Sequence, residues 1–220
     1  MLEPRKYYHI YNRANGWEKM FFSEDNYRFF ISRYRFYLEP IVDTFAYCLI
    51  PNHLHFLIRV KSKEELIIFF GGGESPCQSF RKLAGVESEQ TFGKIAGLNE
   101  NELSLKISRQ FSKLFSSYTQ SFNKVFKRKG SLFIPNFKRK EINSDDYLKQ
   151  VVIYIHNNPV KHGIINKIDK WKYSSYNLII SGNSEWIKEK ETIGFFNDKE
   201  NFISVHKSKT DVLNELRMEE

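Results

Sequence analysis

The chain predicts an α+β fold in which helices pack on an antiparallel sheet in a ferredoxin-like layout. Three observations carry this. The first sixty residues read strand, helix, strand, strand, the two last strands being joined by a turn of only Pro51-Asn52. A long helical stripe then appears at residues 104–128, where Ile107, Phe111, Leu114, Phe115, Tyr118, Phe122, Val125 and Phe126 recur at the helical period. With 220 residues, 41% of them hydrophobic, one compact domain with a sizeable core is the natural size.

Each element has a local reason. Residues 7–13 form a short strand, which Ala14-Asn15-Gly16 closes with turn chemistry. Ser23 begins a helix with Glu24 and Asp25 in its first turn, complementing the dipole. Its apolar face is Tyr27, Phe30, Ile31, Tyr34 and Leu38, and Pro40 ends it. Residues 44–50 and 53–60 are the two strands of a hairpin. A short helix over 64–70 leads into a Gly/Glu/Asn-rich stretch that reads as a flexible insert at about 71–103. Gly71 to Gly73 lacks the lysine and the strand-to-helix setting of a phosphate-binding loop. Gly130 stops the long helix, 131–137 is strand-like, and 145–157 is a helix ending at Asn158-Pro159. The resulting organisation is a domain over 1–180 and a charged C-terminal extension over 181–220 that carries no motif.

Charge narrows the partners. A formal charge of +8 favours a polyanion over an acidic small molecule. Aromatic residues reach 16%, more than a core needs, and base stacking is one use for rings outside it. Two cysteines, Cys48 and Cys77, give neither a disulfide framework nor a cysteine zinc site, which fits a reducing cytoplasm. The N-terminus has no apolar signal region and no stretch is long enough to span a bilayer, so a membrane role is not expected.

The residues that carry chemistry are fewer. In Asn52-His53-Leu54-His55, strand alternation puts both imidazoles on one face, which is half of a metal site or a hydrogen-bonded histidine pair. Tyr118 lies on the apolar stripe of the long helix, where a ring is ordinarily core. From Lys124 to Lys140 there are seven basic residues and no acidic one: Lys124, Lys127, Arg128, Lys129, Lys138, Arg139 and Lys140. Interleaved with Phe126, Phe133 and Phe137, they suit single-stranded DNA, where phosphates meet cations and bases stack on rings. Arg13 and Arg59 are further phosphate contacts or plain surface residues, and His9 and His156 read as structural.

Four segments, in order, resemble the single-tyrosine HUH transposases, and within them the REP-associated tyrosine transposases. They are Tyr8-His9-Ile10-Tyr11-Asn12-Arg13, the hairpin Ile50-Pro51-Asn52-His53-Leu54-His55, the helix around Ser117-Tyr118-Thr119 with the following Gly130-Ser131-Leu132-Phe133, and Tyr154-Ile155-His156-Asn157-Asn158-Pro159-Val160-Lys161 with Trp171-Lys172-Tyr173-Ser174-Ser175-Tyr176. The resemblance implies the HUH nuclease fold and a metal-dependent enzyme that cuts and rejoins single-stranded DNA near hairpins through a 5′-phosphotyrosine. It implies His53 and His55 as ligands of Mg or Mn and Tyr118 as the nucleophile, while the charge pattern itself offers Arg13, Lys127, Arg128, Lys129, Lys138, Arg139 and Lys140 as DNA contacts. Relatives place a third ligand about one turn past the tyrosine. Here the i+4 residue is Phe122, and Asn123, the nearest later amide, lies about 140° round the helix. Asn123 is the expected third ligand, a donor from elsewhere being the alternative. Relatives occur as dimers and monomers, and a homodimer is the preferred expectation. Phe122 keeps open a second class, a non-catalytic, domesticated nucleic-acid-binding protein of the same fold. An RNA-binding module of the same sheet lacks its Lys/Arg-Gly-Phe/Tyr run and gives no reason for the two histidines.

Overall fold

A computed structural model describes residues 1–16, 18–71 and 99–208. The expected insert falls almost wholly outside them, as do Cys77 and the end of the C-terminal extension. The elements are β1 (Tyr7–Arg13), α1 (Glu24–Leu38), β2 (Val42–Ile50), β3 (His53–Val60), α2 (Lys63–Phe70), α3 (Glu100–Val125), β4 (Lys138–Ile142), α4 (Asp145–Lys161), a 3-10 turn (Ile168–Lys170), α5 (Tyr176–Ser181), α6 (Glu189–Gly194) and α7 (Lys199–Ser208).

The strands form one sheet in the order β2-β3-β1-β4. Its antiparallel sense follows from the strand ends. Ala14 N–H donates to Asn52 O at 2.7 Å and Arg5 N–H to Val60 O at 2.9 Å, so β1 runs against β3. Lys61 N–H donates to Ile41 O at 3.1 Å, closing the base of the β2-β3 hairpin. Strand β4 pairs antiparallel with β1, Tyr7 opposite Ile142, His9 opposite Lys140 and Tyr11 opposite Lys138. The α+β class and the ferredoxin-like strand order are thus as the sequence predicts.

Three elements differ from expectation. The strand placed at 131–137 instead lies at Lys138–Ile142, leaving Phe133 with a single bridge to Ala14. Pro135 cannot donate to a ladder, and Asn136 has φ of 62°, so regular pairing resumes only beyond them. Helix α4 runs on through Pro159 to Lys161. Proline removes one amide donor, but Asn158 O still accepts from His162 N–H at 3.1 Å and Pro159 O from Ile164 N–H at 2.9 Å, which closes the last turn. Helix α3 starts before the predicted residue 104 because Asn99 and Glu102 form a capping box.

The chain divides into two compact units. One comprises residues 1–6, 28–43 and 59–131. In it α3 buries Leu103, Ile107, Phe111, Leu114, Tyr118 and Phe122 as one stripe, and the Tyr118 ring meets Phe30 of α1 edge-on at 5.1 Å. Arg59 of β3 is paired with Asp43 of β2, Nη2 to Oδ2 at 2.8 Å, so it serves the hairpin rather than standing free.

The other unit comprises residues 7–27, 44–58 and 132–220. Here the segment after α4 returns to β2: Leu49 N–H donates to Tyr173 O at 2.9 Å, and the Tyr173 ring stacks on Tyr27 at 3.6 Å. The described part of the predicted extension is built into this unit. Thr192 Oγ1 donates to Phe45 O at 3.1 Å, and α7 buries Phe202 and His206. His206 Nδ1 donates to Phe202 O at 2.7 Å, which leaves its Nε2 to accept from His156 Nδ1 at 2.9 Å. His156 Nε2 in turn accepts from Ser175 Oγ at 2.8 Å. Burial pushes the His206 pKa down to about 4 and holds His156 well below the ordinary imidazole range, so this chain of bonds joins α7 to α4 through neutral rings.

Candidate functional site

Strand β3 is flanked by β2 and β1 and is buried on both faces. Its first residues, His53 and His55, therefore enter the interior as soon as the Pro51-Asn52 turn ends. That turn is held in place by Met20 N–H and Phe21 N–H, both donating to Pro51 O, at 2.7 and 3.2 Å. Alternation puts the two imidazoles on one face, as expected, and leaves them only 8% and 5% exposed.

Helix α4 covers that face with Tyr154, Asn158 and Lys161, spaced i, i+4 and i+7. The Tyr154 ring meets His55 edge-on at 5.4 Å, and Lys161 Nζ stands 5.2 Å from the Tyr154 ring. Asn158 is fully buried between the histidines. Its Oδ1 lies 2.8 Å from His53 Nε2 and its Nδ2 lies 3.3 Å from His55 Nε2. Both ε nitrogens thus converge on one amide.

The δ nitrogens are tied down from behind. His53 Nδ1 is 2.9 Å from Asn52 Oδ1, and His55 Nδ1 is 3.0 Å from His9 Nε2. His162, next to the end of α4, sets its ring edge-on to His53 at 4.6 Å. Tyr11 lies half-buried beside them, its ring stacked on His9 at 5.0 Å and on His55 at 5.8 Å.

Burial, reinforced by the neighbouring His9, His53 and His162 rings and by Lys161, drives the His55 pKa well below the usual imidazole range. Burial and then Lys140 push the His9 pKa down to about 3. These rings are neutral at physiological pH, which is the form that offers a lone pair to a metal.

Among the described residues no group of three or more His, Cys, Asp or Glu side chains is arranged to hold a metal ion. The groups that do converge are the two imidazole Nε2 atoms and the Asn158 amide, whose oxygen faces His53 and whose nitrogen faces His55. Two imidazoles with an oxygen donor suit a divalent ion that accepts nitrogen ligands, such as Mn or Zn, and hold Mg more weakly, leaving positions for phosphate oxygens. Each imidazole also has its other nitrogen oriented by a second group, as metal-binding histidines ordinarily do.

The remaining predicted residues divide between the two units. Tyr118 is 1% exposed, its ring against Phe29 at 6.0 Å and Phe122 at 6.0 Å as well as Phe30. The Asn123 amide is taken up in the loop that ends α3: Nδ2 donates to Gly130 O at 2.8 Å, and Oδ1 accepts from Arg128 Nη1 at 3.0 Å. The amide held between His53 and His55 is that of Asn158. Arg128 also donates to Ser131 O at 2.9 Å, which makes it a brace of the same loop. Lys127 and Lys129 are exposed on that loop.

Lys138, Arg139 and Lys140 are exposed on β4, the sheet edge beside β1. Directly paired residues share a face, so Lys138 and Lys140 project on the side of Tyr11 and His9, while Arg139 projects on the other. Arg13, at the end of β1, is exposed.

Sequence reasoning passed over Asn158, read as a helix end, and gave His9 a merely structural part. Asn158 was legible through its i+4 relation to Tyr154 once the helix is allowed to continue through Pro159. His9 had no local signal, because which residue of β1 faces His55 depends on strand register.

No protein-family model matches the sequence, and no curated protein matches it. Among solved structures, the chain is similar to a REP-associated tyrosine transposase bound to a REP hairpin, at 16% identity and a TM-score of 0.47, over 82% of this chain and 82% of that chain.

Proposed function

We propose that the chain is a divalent-metal-dependent nuclease and strand transferase for single-stranded or hairpin DNA, of the REP-associated tyrosine transposase kind. The observation that carries the reading is the convergence of His53 Nε2 and His55 Nε2 on the buried Asn158 amide, beneath a sheet edge that carries Lys138 and Lys140. The four sequence segments quoted above support the same assignment.

His53, His55 and the Asn158 oxygen would hold the ion, which supplies charge stabilisation at the scissile phosphate. Lys138, Lys140 and Lys161 would draw the phosphodiester to that face and hold it. Tyr118 is assigned as nucleophile. Its phenol oxygen bonds to phosphorus as the bond from phosphorus to the 3′-oxygen breaks, the phenol proton passing to solvent and the departing oxygen taking one up. The product is a 5′-phosphotyrosine, which a DNA 3′-hydroxyl reopens by the reverse exchange, so rejoining uses no nucleotide cofactor.

Because Tyr118 is 1% exposed, this assignment requires its ring to leave the Phe29-Phe30 packing when DNA binds. That same burial favours a second reading, a domesticated protein that binds nucleic acid and does not cut it. The leading reading includes a cytoplasmic location and a homodimer. Among the described residues no helix is long and apolar enough to cross a membrane. Labelled single-stranded DNA with Mn separates the two functions: cleavage abolished by EDTA and by His53→Ala or His55→Ala supports the nuclease, whereas binding without any cut supports the second reading.

A further inference from the structure

His9 is a buried histidine with an unpartnered nitrogen, and neither feature is explained by packing alone. Its ring is 1% exposed, lies parallel to His55 at 5.1 Å and 18°, and is covered edge-on by Tyr154 at 6.0 Å. Its Nε2 meets His55 Nδ1 at 3.0 Å, yet its own Nδ1 has no hydrogen-bond partner. A buried donor or acceptor left unpaired is destabilising and calls for a compensating role.

The orphan nitrogen follows from which atoms donate and which accept along the chain Asn158, His55, His9. Asn158 Nδ2 can only donate, so His55 Nε2, 3.3 Å away, must present a lone pair. The His55 proton is then on Nδ1 and is donated to His9 Nε2. His9, accepting at Nε2, must carry its proton on Nδ1, which is the unpaired atom. With the amide nitrogen facing His55, the unpaired N–H follows from holding that ring in the tautomer that points its Nε2 lone pair at Asn158.

We propose that His9 is a positioning residue for the metal centre: by accepting the Nδ1 proton of His55 it fixes that ring in the tautomer and orientation needed to bind a divalent cation through Nε2. This rests on the reading of His53 and His55 as metal ligands. Strand β1 makes the arrangement possible because it neighbours β3 and offers His9 and Tyr11, two residues apart, to the same face.

The test uses the full chain without DNA, so that it does not depend on cleavage. Calorimetric titration with Mn should show His9→Ala weakening binding by about 10–100-fold, the usual effect of losing a ligand's outer partner. His9→Gln, whose amide oxygen can accept the same proton, should restore affinity to within a few fold. Nitrogen-15 shifts of the His55 ring should report a protonated Nδ1 in the wild type and in His9→Gln, and a mixture of tautomers in His9→Ala. If His9→Ala does not fold, the wild-type shifts and His9→Gln decide. Wild-type protein that binds no Mn overturns the metal reading and this inference with it. Mn binding that is unchanged in His9→Ala, or a wild-type His55 protonated at Nε2, overturns the role of His9 and leaves the metal reading standing.

Discussion

Replacing Asn158 by alanine isolates the keystone of the histidine site. The side chain is fully buried and its amide lies 2.8 Å from one imidazole and 3.3 Å from another. Each lost hydrogen bond removes about 1 kcal/mol net, and a buried nitrogen left unsatisfied adds about 1–3 kcal/mol, so the variant should be destabilised by roughly 3–5 kcal/mol. In a chain of this size about 2–4 °C accompanies each kcal/mol, which places the drop in melting temperature at roughly 6–20 °C. Saturating Mn provides a second arm. At a hundredfold excess over its dissociation constant a ligand stabilises by about 2.7 kcal/mol. Wild type should therefore melt higher with Mn than with EDTA, and Asn158→Ala should lose most of that increment with its amide oxygen. The assay is a pair of thermal melts for each protein. An Asn158→Ala variant that melts with the wild type and keeps the full Mn increment would refute the site as described.

Three further outcomes are expected. Stability should fall as the pH drops from 6.5 towards 4, because folded His206 stays neutral until about pH 4 while the unfolded chain takes up its proton near 6.5. The slope is about 1.4 kcal/mol per pH unit for each such ring, and urea titrations of His206→Asn should show a slope about one proton shallower. Equal slopes would mean the His156-His206 pair is not held neutral. Tyr118→Phe keeps the ring against Phe29 and Phe30, so its melting temperature should stay within about 2 °C of wild type while covalent DNA adduct disappears; a large loss of stability would show that the hydroxyl serves the fold. Replacing Lys138, Arg139 and Lys140 together by Gln should weaken single-strand binding and lower its salt slope by about 1.4, at about 0.7 for each phosphate contact of Lys138 and Lys140, the two on the face of the site. An unaltered slope would assign those cations to a bare sheet edge.

Much of the architecture is legible where one residue type answers to one local force. The β2-β3 hairpin follows from two extended apolar runs around Pro51-Asn52, and α1 and α3 follow from apolar residues at helical spacing. Strand β4 was not legible in place, since Lys138-Arg139-Lys140-Glu141 has no apolar alternation and pairs because β1 presents an open edge. The last turn of α4 is hidden by Pro159, whose single missing donor is outweighed by a face that buries Tyr154 and Asn158. Residues 181–208 read as charged and formless because their anchors, Thr192, Phe202 and His206, are scattered among polar residues and find partners far away in sequence. For the site, His53 and His55 were visible because strand parity is local. Asn158 and His9 come from other elements, and what brings them to the histidines is helix docking and strand register, which the order of residues does not state.

The most direct test of the account is to incubate end-labelled hairpin DNA with the full chain and Mn, run the products on a denaturing gel, and map any protein-DNA adduct by peptide. The expected result is cleavage that EDTA abolishes, a covalent adduct on Tyr118, and loss of both in His53→Ala and His55→Ala. Cleavage that proceeds in EDTA, or in either histidine variant, would contradict the metal centre. An adduct on Tyr11 or Tyr154 would contradict the choice of nucleophile, and DNA that binds tightly without being cut would assign the chain to the non-catalytic class.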